Sequence, residues 1–68
     1  MLKNWNHDLV HQLSETSDGL WRIEDYIKNS QGCDHCIKMW NEVKDNLEKI
    51  SESLVEEIGR HYQENRFE

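Results

Sequence analysis

Apolar residues recur at spacings of three and four through both halves of the chain. Leu9, Leu13, Leu20, Ile23 and Ile27 carry the pattern in the first half, with Thr16 filling one slot. Trp40, Val43, Leu47, Ile50 and Leu54 repeat it in the second, followed by Ile58. A period near 3.5 residues keeps one stripe of a helix turned toward a neighbour at a shallow crossing angle. The two-residue alternation of a half-buried strand is absent. The pattern therefore predicts an all-α fold. One helix spans about residues 2–30, a turn covers about 31–34, and a second helix spans about 35–65, the two packed as a long antiparallel hairpin in a single domain. The chain contains no proline, so nothing removes a backbone donor inside either helix.

The turn is legible in its residue types. Ser30, Gln31 and Gly32 end the first helix, with Gly32 suited to the left-handed conformation that follows a last turn. Asp34 is placed to cap the second helix. So short a connection makes the helices antiparallel neighbours. Thr16-Ser17-Asp18-Gly19 reads as a turn and cap as readily as a helix interior, and glycine in mid-helix costs about 1 kcal/mol relative to alanine. The stripe keeps its phase through Leu13, Thr16 and Leu20, which favours a continuous helix. A break at 16–19 would give three helices instead.

A single hairpin has one seam. Trp5, Val10, Trp21, Tyr26, Ile37, Val55 and Tyr62 lie beside it or off it. A chain of 68 residues buries only roughly 60% of the surface its unfolded form exposes, and three tryptophans are a large apolar load for so small a core. A homodimer of hairpins, forming a four-helix bundle, covers these residues most simply. The same aromatic face also suits a different protein partner.

Charge narrows the range of partners. With 14 acidic and 8 basic side chains, the net charge is -6, and Arg22, Arg60 and Arg66 form no basic stripe. Nucleic acid is not expected as a partner, since affinity for it comes largely from Lys and Arg neutralising phosphates. Anionic membrane surfaces are disfavoured for the same reason. The first residues carry no apolar run fit for a signal peptide and no stretch approaches a membrane span, so a cytoplasmic protein is expected. In a reducing compartment, a pair of closely spaced cysteines is more often a metal or redox element than a staple.

That pair lies in Cys33-Asp34-His35-Cys36, at the expected turn. Free N–H groups and the positive end of the helix dipole favour a thiolate there, and Asp34 opposes one. Three readings stand side by side. Zinc could be held by Cys33 and Cys36, with His35 as a further candidate, at the spacing of half a zinc site; the other half would have to come from a second copy. A redox pair could cycle between dithiol and disulfide, with Cys33 attacking or being oxidised and Cys36 resolving it. Alternatively, both cysteines simply pack as small hydrophobes. The tetrapeptide is similar to the C-x-H-C of thioredoxin-fold disulfide isomerases. The likeness spans four residues, and the strand–motif–helix context of that fold has no room here.

A second candidate metal grouping is His7, His11 and His61. His7 and His11 share one helix face, and folding at the turn brings His61 to the same end of the hairpin, near Asp8, Glu57 and Glu64. The Glu-x-x-His pair of di-iron bundles is lacking, and only Asp8 and His11 have that spacing. The glycines are isolated, so no phosphate loop forms, and no serine sits beside a base and an acid. The expected function is a small, self-associating interaction or regulatory protein rather than an enzyme. The alternative is a metal-binding or thiol-redox protein acting through the cysteine element.

Overall fold

The stripe is realised as two helices and nothing else. The computed structural model describes residues 1–68, with α1 over Asn4–Asn29 and α2 over Asp34–Gln63. Each helix is slightly shorter at its outer end than the pattern suggests. The two run antiparallel, as contacts between Asn6 and His61 and between Glu24 and Lys44 require. The Cα atoms fill 50 × 18 × 11 Å, and the short dimension is that of a single layer of helices. No helix is long and apolar enough to cross a membrane.

α1 passes through Thr16–Gly19 without a break. Thr16 is buried, and its hydroxyl oxygen accepts from Gln12 Nε2 at 3.1 Å. A Cβ placed on Gly19 would sit 3.6 Å from Leu47 Cδ1, an ordinary contact distance. Apolar burial on both sides of the segment outweighs the local preference for a turn, as tertiary context commonly does.

Register follows from Asn6 facing His61. Steps of three and four in opposite directions then set Leu13 across from Leu54, Thr16 from Ser51, Leu20 from Leu47, Ile23 from Lys44 and Ile27 from Trp40. All of these are buried or half-buried. This corrects the expected seam on α2. Ile50 is 46% exposed, while Ser51 and Lys44 take inward places. Lys44 tolerates its place because its amine reaches out to Glu24 at 3.8 Å while its aliphatic stem lies along the seam. α2 therefore carries two neighbouring stripes. One, through Ile37, Lys44, Ser51 and Ile58, belongs to the seam. The other runs through Val43, half-buried at the seam's edge, to the exposed Ile50, and both stripes share Trp40, Leu47 and Leu54.

The broad sides of the layer differ. On one, Trp5, Gly19 and Tyr26 of α1 meet His61, Leu47 and Trp40 of α2. A rotation of 100° per residue places Met39, Val43 and Ile50 beyond those contacts, and they extend this Tyr26 side. On the other, Trp21, Val10, Val55 and Tyr62 stand among Glu24, Lys28, Lys38, Asp45, Glu48 and Glu52.

Both ends are capped through backbone geometry. At the turn, Gly32 takes φ +95° as expected, and the Cys33 N–H donates to the Ser30 carbonyl at 2.9 Å. The cap of α2 is Cys33, however, and not Asp34, which is the first residue of the helix. At the open end, α2 closes with Asn65 at φ +57°. The Arg66 N–H donates to the His61 carbonyl at 2.7 Å, and the Asn65 N–H to the Tyr62 carbonyl at 3.1 Å. This is the Schellman closure, here with asparagine in the left-handed position. It turns the chain back onto α1, where the Lys3 N–H donates to the Glu68 carbonyl at 2.6 Å.

Candidate functional site

Two places hold chemistry-bearing residues, one at each end of the hairpin. At the open end, Asn6 continues the inward phase of Leu9 and Leu13, and His61 that of Leu54. Both are polar residues in apolar slots, and both are buried. Asn6 Nδ2 donates to the carbonyls of Arg66 at 2.7 Å and Glu68 at 3.2 Å. That fixes the amide orientation, so its Oδ1 accepts from His61 Nδ1 at 2.8 Å. On the far edge of the ring, His61 Nε2 lies 3.1 Å from Glu57 Oε2. A ring donating at Nδ1 also donates to Glu57 only when it carries both protons. Every buried side-chain polar atom has a partner.

Arg60 completes the arrangement from outside. It grips Glu57 through Nε, at 3.0 Å, and Nη2, and reaches Glu64 at 2.9 Å. The hydrogen bond from Arg60 holds the Glu57 carboxyl below its ordinary value of 4.5, with Arg60 and His61 charges adding to the effect, while partial burial opposes it. A carboxyl depressed in the folded state contributes stability that is present above its ordinary value and lost as pH falls through the folded one. Acid titration is therefore expected to loosen the open end as pH falls below the ordinary carboxyl value of 4.5. Trp5, which stands edge-on to His61 with ring centroids 6.3 Å apart, is the reporter, and its fluorescence should change there. A flat profile from pH 6 to 2 would contradict this assignment.

His7 and His11 do not join His61. Both are exposed; His7 sits 3.3 Å from Asp8 and His11 3.5 Å from Glu15, while His61 turns into the seam toward Asn6 and Glu57. An open pocket of about 370 Å³ lies on the Tyr26 side, lined by Trp5, Asp8, Leu9, Leu54, Glu57 and His61. The Lys3 ammonium and Arg66 guanidinium lie 5.8 and 5.2 Å from the Trp5 ring centre, within cation–π range. Asn6 is the residue that sequence reasoning missed. Its only signal is phase, since a small polar residue three positions before Leu9 falls in the inward stripe.

At the turn, the Cys33 and Cys36 sulfurs stand at disulfide distance, with Cα atoms 5.3 Å apart. Cys33 Sγ also accepts the Cys36 N–H at 3.2 Å, the reach of a cap side chain to the third helical residue. Both cysteines are half-exposed, and Asp34 and His35 are exposed. Nowhere do three or more His, Cys, Asp or Glu side chains gather in a group able to hold a metal ion. No family model, curated protein or solved structure matches this chain, so its functional reading rests on its own residues.

Proposed function

We propose that this chain is a small interaction protein that works as a self-associated pair of hairpins, a four-helix bundle joined through the Tyr26 side. The observation that carries this reading is the second stripe of α2. Within one hairpin, Ile23 is the only apolar residue that is fully buried, while Met39 and Ile50 stay 43% and 46% exposed on the side that also presents Tyr26. A helix with two adjacent apolar stripes is built for two neighbours, as each helix of a four-helix bundle has. One hairpin supplies one neighbour.

A second copy is the occupant favoured by size and charge. A face of 50 × 18 Å offers roughly 900 Å² in projection, close to the ~800 Å² per partner of a stable interface. The middle of the Tyr26 side holds the Arg22 guanidinium beside Gly19 and Leu47, a cation against the net charge of -6 on each copy. A partner related by a two-fold axis meets the same stripe it presents.

Sedimentation and native mass spectrometry at micromolar concentration test the reading. A dimer that dissociates only on dilution is expected. A folded monomer throughout the micromolar range would overturn it.

A further inference from the structure

We propose that Cys33 and Cys36 form a thiol–disulfide exchange site in which Cys33 is the attacking sulfur and Cys36 the resolving one. This stands apart from self-association, because it concerns the turn rather than the broad faces.

Three observations carry it. First, the sulfurs are already within bonding reach, and the bond links neighbours in one turn. It does not tie α1 to α2, and so short a loop is where a cross-link constrains an unfolded chain least. Redox chemistry suits this pair better than a stapling role. Second, the two positions are unequal. Cys33 is the cap of a 30-residue helix, and its sulfur receives the Cys36 N–H at 3.2 Å. A developing thiolate on Cys33 therefore meets a backbone donor and the positive end of the helix dipole. Cys36 Sγ has no such donor, and its own N–H is spent on Cys33. Third, the approach is open. Cys33 is half-exposed at the tip, and a Cβ placed on the adjacent Gly32 would meet no atom within 4 Å. The exposed Asp34 carboxylate works against a thiolate, damped by solvent.

The reaction balances without further reagents. The Cys33 thiolate attacks one sulfur of a substrate disulfide, forming a mixed disulfide and expelling the first substrate thiolate with the electron pair of the broken bond. Cys36 releases its proton to water and attacks the Cys33 sulfur, closing the Cys33–Cys36 bond and expelling the second thiolate. Two protein sulfurs are oxidised and two substrate sulfurs reduced; a dithiol substrate drives the reverse.

The test uses the full chain, reduced and freed of reductant, mixed with glutathione disulfide at neutral pH and quenched with acid for mass spectrometry. The unaltered chain should lose two hydrogens and release two glutathione thiols. Cys36→Ser should accumulate a glutathione adduct on Cys33. Cys33→Ser, in which serine preserves the cap, should form its adduct at least ~10-fold more slowly. Helix content by circular dichroism verifies that both variants fold. A wild-type chain that stays reduced, or that is isolated with zinc bound and inert to the disulfide, overturns the site. Equal adduct rates, or faster reaction at Cys36, overturn the assignment of Cys33 as nucleophile.

Discussion

Asn6→Ala is expected to destabilise the protein by about 2–4 kcal/mol and to release the C-terminal tail from α1. Asn6 is fully enclosed and makes three hydrogen bonds to groups some sixty residues away in sequence. Its removal leaves the His61 Nδ1 proton without an acceptor in a buried place, and a stranded group of that kind costs about 1–3 kcal/mol. The carbonyls of Arg66 and Glu68 lose their donor too, and regain one only if the tail lifts to admit water. The small cavity left by the amide adds to the loss. For a chain of this length, total stability is on the order of 3–10 kcal/mol, so one side chain carries a large share. Denaturant unfolding gives the magnitude. Hydrogen exchange at the Lys3 amide, which donates to Glu68, reports the tail, and its protection should fall in step. A loss under about 0.5 kcal/mol, typical of a surface change, would show that the enclosed network does not hold the open end.

The same residue shows how far the sequence was legible. Heptad phase places both helices and the inward side of α1, because periodic burial is a strong and redundant signal, and residue types place the turn at Gly32. The same phase runs through Asn6 and His61, but their polar side chains mask it. Residue type groups His61 with His7 and His11, whereas its partner is an amide whose role exists only once the tail folds back through Asn65. No local pattern announces that closure, since it needs an asparagine at positive φ where glycine is the usual sign. On α2 the ambiguity is of another kind. Val43 and Ile50 are more apolar than Lys44 and Ser51, so apolarity alone puts the exposed Ile50 in the intramolecular seam and leaves Lys44 and Ser51 out of it. Lysine can line a seam and still reach water, and serine opposite Thr16 makes a small layer. The cysteine element is legible from its motif, but propensity puts the cap at Asp34, one position later than the structure does. With the cap at Cys33, its own sulfur receives the Cys36 N–H.

The displaced stripe leads to the second large effect. Ile50→Glu is expected to weaken the proposed dimer by at least ~100-fold while leaving the hairpin itself intact. In the single hairpin, Ile50 is 46% exposed and off the seam, so a glutamate there stays hydrated and alters unfolding of the monomer by under about 0.5 kcal/mol. Between two copies the same carboxylate is desolvated, and the two-fold axis brings in a second one. Tenfold in affinity corresponds to about 1.4 kcal/mol, and an unpaired buried carboxylate costs several times that. Val55→Glu is the companion measurement. Val55 is as exposed, at 53%, and as apolar, but lies among charges on the Trp21 side. Sedimentation of both variants against the unaltered chain separates the faces. Dissociation by Ile50→Glu alone places the interface on the Tyr26 side, and dissociation by Val55→Glu alone would move it to the opposite one. If neither substitution shifts the mass while the unaltered chain is dimeric, the copies do not meet through a broad face at all, and the second stripe of α2 has some other purpose.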